Sequence, residues 1–161
     1  MKEMKVKDVM KTNVGFCSTE DSLMKAAAVM RQRDCGMVPI VNADNIVVGM
    51  LTDRDLCLAV VARNRKASDV KTEELLRGKA IVCFADDKLE DALRKMRKNQ
   101  VKRLAAISAG GELVGILSVT DILLAAGKDK KLQKKVYATL KAIFKPSPIV
   151  LREVSAGEEN S

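Results

Sequence analysis

Apolar residues recur at helical spacing through Leu23, Ala26, Ala27 and Met30, then close up into the continuous run Met37-Val38-Pro39-Ile40-Val41. They resume after a polar stretch from Ile46 to Leu51 and return to helical spacing beyond Asp53. This order predicts a helix from Ser22 to about Asp34, a buried strand over 37–41, a turn at Asn42-Ala43-Asp44-Asn45, a strand over 46–51 and a helix from Asp53 to about Arg63. Ser18-Thr19-Glu20-Asp21 supplies capping groups ahead of the first of these helices. Upstream, Val6, Val9 and Met10 fall on one side of a short lead-in helix from Val6 to Lys11, and Thr12 to Cys17 reads as extended. A charged linker from Asn64 to Lys79 follows, with Ser68-Asp69 opening a short helix through Leu76. The order then returns: strand 80–84, helix 88–98, strand 104–108, a Gly110-Gly111 hairpin, strand 112–117 and helix 119–126.

The second set is a copy of the first. Val48-Gly49-Met50-Leu51-Thr52-Asp53-Arg54-Asp55 recurs as Val114-Gly115-Ile116-Leu117-Ser118-Val119-Thr120-Asp121, at one fixed offset that also aligns Asp21 with Asp87, Leu23 with Leu89, Ala26 with Ala92 and Met30 with Met96. Two copies make a pseudo-symmetric pair, since a solenoid needs about three or more. The expected fold is therefore α/β: two βαββα-type halves packed through their sheets, with the N-terminal segment crossing to complete the second half. Residues 1–66 and 67–127 form the two motifs, 128–145 a basic amphipathic helix, and 146–161 an irregular tail that ends in the polar segment 155–161.

Composition narrows the chemistry. With 47 % hydrophobic residues the chain has material for a core, but Phe16, Phe84, Tyr137 and Phe144 are its only aromatics, so Val, Ile, Leu, Met and Ala must fill the interior and base stacking has no platform. No apolar run reaches the roughly 20 residues of a membrane span, and no signal-peptide stretch follows Met1, so a cytoplasmic protein is expected. Cys17, Cys35, Cys57 and Cys83 are widely spaced in a chain without histidine, which argues for buried, reduced thiols and against a metal site. Of the net charge of +8, the stretch from Lys128 to Lys145 carries seven lysines and one acid, Asp129. Leu132, Val136, Leu140, Ile143 and Phe144 recur through it at helical spacing, which makes it an amphipathic helix with a solvated lysine face and an apolar face for docking or dimer contact.

The doubled motif carries the candidate chemistry. Glycine permits close backbone approach, the next two residues bury a strand, and the hydroxyl of Thr52 caps the following helix, whose first N–H groups can meet an anion. Asp55 lies near the same helix mouth and offers two acceptor oxygens, suited to vicinal hydroxyls of a ribose. Ser118, Thr120 and Asp121 supply the same groups. The plainer alternative is that Thr52 and Ser118 are N-caps and the carboxylates merely favour the helix dipole; the doubling favours binding.

At these residues the chain resembles the CBS domain family, named after cystathionine β-synthase, in its tandem form. Val9-Met10-Lys11-Thr12, Met37-Val38-Pro39-Ile40-Val41 and the two Gly-to-Asp motifs carry the resemblance, which spans about Val6 to Ala126. It implies a module that binds adenosine-containing ligands such as AMP, ADP, ATP, NAD or S-adenosylmethionine in two clefts and does no chemistry on them. It places Asp55 and Asp121 on ribose hydroxyls, with Thr52 and Ser118 near phosphate or sugar. The cleft at Asp121 would be completed by Thr12, Asn13, Val14 and Cys35-Gly36-Met37, with Thr120 beside it. The cleft at Asp55 would be completed by Lys79, Ala80, Ile81 and Val101-Lys102-Arg103, with Arg54 beside it. Ala105 stands where the first copy has Pro39, and the lead into the second copy is atypical, so the Asp121 cleft is expected to be the better formed and to hold the nucleotide.

Three functions follow from these residues. The leading one is a regulatory sensor whose occupancy passes to a partner protein or to the oligomer. Catalysis is disfavoured: no catalytic residue is assigned, since histidine, a Gly-x-Ser-x-Gly elbow and a Gly-Lys-Ser/Thr phosphate loop are all absent from the sequence. Nucleic-acid binding or a purely structural interaction through the basic helix is the alternative and rests on charge alone. A homodimer is expected because Leu56, Val60 and Val61 in one helix, and Ile122, Leu123 and Leu124 in the other, put apolar residues on more than one face.

Overall fold

The computed structural model describes residues 3–146. Each motif is a three-stranded sheet with two helices. The first contains β1 (Cys17–Ser18), α1 (Leu23–Arg33), β2 (Met37–Val41), β3 (Val47–Thr52) and α2 (Asp53–Val61). The second contains β4 (Val82–Phe84), α3 (Leu89–Asn99), β5 (Arg103–Ile107), β6 (Leu113–Ser118) and α4 (Val119–Ala126), after which α5 (Lys130–Ile143) closes the described chain. In both sheets the order follows the chain, with a parallel pair followed by an antiparallel one. Even the bulges correspond, between Ile40 and Val41 in one sheet and between Ala106 and Ile107 in the other.

The expected pseudo-twofold is written in the backbone. Val47 N–H donates to Gly111 O and Leu113 N–H to Asn45 O, reciprocal bonds that join the two hairpin turns. Beneath them Val41 and Val47 pack on Ala105 and Ile107, so the sheets meet through a small apolar core of their own. The segments ahead of each motif are exchanged in the same symmetric way. Lys5 bridges Lys88, while Ser22 bridges Lys71. Val6 and Lys7 donate to Asp87 O and Ala85 O of the second motif, and Thr72 and Glu73 donate to Asp21 O and Thr19 O of the first.

Local departures from the expected elements have local causes. The lead-in helix is a single 3-10 turn, Val6–Asp8, because Lys11 must already be extended to pair with Ile116 of β6. The helix expected from Ser68 to Leu76 is two short 3-10 turns, Ala67–Asp69 and Thr72–Leu75. Between them Val70 is extended and buried, and its carbonyl accepts from Leu23 N–H. The swap of Pro39 for Ala105 sets strand length: Val82 pairs with Ala105, whereas proline has no N–H to offer and β1 begins one position later, opposite Ile40.

The basic helix docks as its pattern predicts. Leu132 and Val136 are buried in the second motif's core beside Leu89, Leu93 and Met96, and Lys135 pairs with Glu90. All four cysteines are free. Burial pushes the Cys83 thiol up to about 12, and burial followed by the charge of Asp21 raises that of Cys17. The expectation of buried thiols fails for Cys57, which is exposed on the outer face of α2, and in part for Cys35, which is half-buried. Most of the 146–161 tail lies outside the described residues. No helix among the described residues is long and apolar enough to cross a membrane.

Candidate functional site

A cavity of about 850 Å³ opens between the two motifs, within the range of small-ligand sites. Strand β3 and the start of α2 supply Gly49, Met50, Thr52, Asp53 and Arg54. The linker adds Leu76, Arg77, Lys79, Ala80 and Ile81, and the segment leading into β5 adds Gln100, Val101, Lys102 and Arg103. Gly36 and Met37 complete the wall. They are the first-copy counterparts of Lys102 and Arg103, so the cavity meets an apolar pair from one motif and a cationic pair from the other.

Its electrostatics are one-sided. Arg54, Arg77, Lys79, Lys102 and Arg103 line it against a single acid, Asp53. Asp53 is turned to local duty: its Oδ1 accepts from Arg54 N–H at 2.8 Å, and its own N–H donates to Gly36 O at 3.0 Å. A Cβ at Gly36 would lie 2.9 Å from Asp53 Oδ2, so only glycine leaves that carboxylate its place. Met37, Met50, Leu76, Ile81 and Val101 give the same cavity apolar surface.

Of the residues assigned to the Asp55 cleft, Thr52, Arg54, Lys79, Ala80, Ile81, Lys102 and Arg103 come together in this cavity. Asp55 itself is not in the wall. Its Oδ2 accepts from the N–H and the hydroxyl of Thr52, both at 2.8 Å, while its N–H donates to Thr52 Oγ1 at 3.2 Å, a closed capping box. Asp121 makes the same box: its Oδ2 accepts from Ser118 N–H at 3.0 Å and Ser118 Oγ at 2.5 Å.

The residues assigned to the Asp121 cleft divide. Gly36 and Met37 line the cavity just described. Around Asp121, whose side chain is 12 % exposed, Lys11 brings Nζ to 3.5 Å from Oδ1, next to exposed Thr12 and Thr120. Asn13 Oδ1 accepts from Arg33 at 3.0 Å, and Val14 is half-buried. Sequence reasoning missed Asp53, Arg77, Leu76 and Gln100. Asp53 sits inside the motif and was within reach, whereas Leu76 and Arg77 reach the cavity through linker geometry that no spacing announces, and Gln100 from the left-handed cap of α3.

The fold and the cavity define a pair of α/β motifs related by a pseudo-twofold, with a cationic cleft between them. The chain belongs to the CBS domain family, whose CBS domain matches residues 6–62 and 68–128. It is 35 % identical over 121 residues to the CBS domain-containing protein YhcV of Bacillus subtilis, covering 73 % of this chain and 81 % of that one. The structure of hypoxic response protein I with two coordinated zinc ions superposes with a TM-score of 0.70 at 30 % identity, over 75 % of this chain and 98 % of the other. Among the described residues here, no group of three or more His, Cys, Asp or Glu side chains is placed to hold a metal. The CBS domain pair of protein MJ0100, in complex with 5-methylthioadenosine and S-adenosyl-L-methionine, matches with a TM-score of 0.68 at 24 % identity, over 80 % and 100 % of the two chains. The CBS domain protein PAE2072 of Pyrobaculum aerophilum, complexed with AMP, matches with a TM-score of 0.68 at 18 % identity, over 83 % and 98 %. The family also occurs inside enzymes: the chain is 31 % identical to a quarter of an inosine-5'-monophosphate dehydrogenase of Methanocaldococcus jannaschii.

Proposed function

We propose that this protein is a non-catalytic sensor that binds a phosphorylated adenosine ligand in the cavity between its two motifs. The observation that carries the reading is the charge of that cavity, with five cations against one acid around a Thr52-capped helix start. The apolar residues Met37, Met50, Ile81 and Val101 suit a purine, and the cations suit a phosphate chain. The adenosine ligands named for structural relatives support the adenosyl part. The charge favours ATP, ADP or NAD over S-adenosylmethionine, whose sulfonium would add a further positive charge. This ranking of clefts reverses the expectation from sequence, because filling the Asp121 cleft requires a ligand to displace Lys11 from Asp121. That cleft is proposed as a second, weaker site, and occupancy is proposed to pass to the oligomer or to an effector protein.

Calorimetry with adenosine, AMP, ADP, ATP, NAD and S-adenosylmethionine tests this. Affinity is expected to rise with phosphate number and to fall with salt. Arg54→Ala or Arg103→Ala is expected to weaken ATP about ten- to a hundredfold, the loss of a charge-assisted contact. Tighter binding of S-adenosylmethionine than of ATP would overturn the reading.

The same module is proposed to pair with a second copy through α2 and α4. Leu58 and Leu124, which correspond in the repeat, are 52 % and 75 % exposed, and Val61 and Leu123 lie beside them. Light scattering is expected to give about twice the 17.6 kDa chain mass. Leu58→Glu with Leu124→Glu should return the monomer, and a wild-type monomer at micromolar concentration would refute the pairing.

A further inference from the structure

Helix α5 belongs to no repeat, yet its last turn touches the cavity wall. Lys102, one of the lining cations, places its Nζ 4.7 Å from the ring centroid of Phe144. Gln100, also in the wall, donates its side-chain amide to Ala142 O at 3.1 Å and to Lys145 O at 3.3 Å. The body of the helix is fixed elsewhere, by Leu132 and Val136 in the second motif's core. Its C-terminal turn packs on the same core through half-buried Leu140 and Ile143 and also touches two side chains of the wall, and Phe144 is 66 % exposed even with Lys102 upon it.

We propose that the end of α5 is a ligand-responsive part of the site, in which Phe144 and a bound phosphate compete for the ammonium of Lys102. The proposal rests on the reading of the cavity as a phosphate site. An exposed cation–π contact is worth a factor of about two to five in an equilibrium constant. A charge-assisted contact to phosphate is worth about tenfold or more. Phosphate wins that contest, so binding draws Lys102 from the ring and removes one of the turn's two contacts with the wall, leaving Gln100 and the packing of Leu140 and Ile143. Ligand occupancy is thereby converted into loosening of a helix end on the outside of the molecule. Nothing in the competition involves the adenosine moiety, so ligands without phosphate leave the turn in place.

Calorimetry with ATP and with adenosine on the full chain tests this, with hydrogen exchange as a second readout. Phe144→Ala is expected to tighten ATP about two- to fivefold, since the competitor is gone, and to leave adenosine unchanged. Phe144→Leu, which keeps apolar bulk without a ring face, should behave as Phe144→Ala does. In a Lys102→Ala background the Phe144 substitution should have no effect on ATP. In the wild type, saturating ATP but not adenosine should speed exchange of the Phe144 amide, which donates to Leu140 O. Unchanged or weaker ATP binding in Phe144→Ala, an equal gain for adenosine, or a gain that survives Lys102→Ala would overturn the proposal. Failure of wild-type protein to bind ATP would sink the cavity reading as well, whereas ATP binding indifferent to Phe144 sinks only the role of α5.

Discussion

Val6→Asp is expected to unfold the second motif. Val6 lies ahead of the first sheet in the chain yet is fully buried in the core of the second motif, among Cys83, Leu89, Leu93 and Met96. A carboxylate there has no cation to meet in a cluster built of apolar side chains, and the substitution is expected to cost about 4 kcal/mol or more, much of the total stability of a typical domain. Val6→Ala removes two methyl groups and should cost about 1–3 kcal/mol once the residual cavity is included. Circular dichroism on heating reads both: at about 2–4 °C per kcal/mol for a chain of this size, the alanine variant should melt several degrees early. A wild-type transition in Val6→Asp would mean that the N-terminal segment does not cross between motifs in solution. The counterpart of Val6 in the repeat is Thr72, equally buried, but its hydroxyl donates to Ser18 O at 2.7 Å. The two exchanged segments thus occupy equivalent places by different means, one apolar and one hydrogen-bonded.

That difference marks how far the sequence could be read. Strand β2 and helix α4 fall where hydrophobic periodicity places them, because a run of five buried apolar residues and a capped Val-x-x-Ile-Leu stripe have one low-energy reading each. The fixed offset of the repeat also carried the pairing of the halves, since the same residues must face the same kind of neighbour. What local pattern could not carry was the path of the segments between motifs. Val70 looks helical in isolation, and only its bond to Leu23 and the Ser22–Lys71 bridge pull it straight. The site behaves alike. Thr52 and the cations at 79, 102 and 103, which the motif and its neighbours name, come together at the cavity, whereas Asp55 lies outside its wall with Oδ2 in a capping box, an arrangement that also follows from the spacing of Thr52 and Asp55. Phe144 meets a residue of the cavity wall only through the docking of α5, a contact between segments some forty residues apart.

The paired glycines of the motif should respond unequally to the same change. A Cβ on Gly115 would stand 2.7 Å from Met10 Sδ and 2.8 Å from Lys11 O. That oxygen is fixed, because Lys11 exchanges both backbone hydrogen bonds with Ile116 at 2.9 Å. Gly115→Ala must therefore pry the crossing segment off β6, and overpacking of this kind costs about 1–3 kcal/mol. Gly115→Val should cost more and loosen the hold of Val6 with it. On Gly49 the same Cβ meets only the Leu76 side chain, at its Cδ2. A terminal methyl can rotate away, so Gly49→Ala is expected to cost under about 1 kcal/mol, within the ordinary range of tolerated core changes. Its effect should fall on the ligand instead, because Gly49 and Leu76 both line the cavity and a displaced Leu76 narrows it. Thermal unfolding and ATP titration of the two variants, measured together, separate the roles: Gly115→Ala should lose the greater part of its effect in melting temperature and Gly49→Ala in affinity. Equal losses of stability would mean that the Met10–Lys11 segment is as yielding as a leucine side chain, and that the exchange of segments does not hold the second motif together.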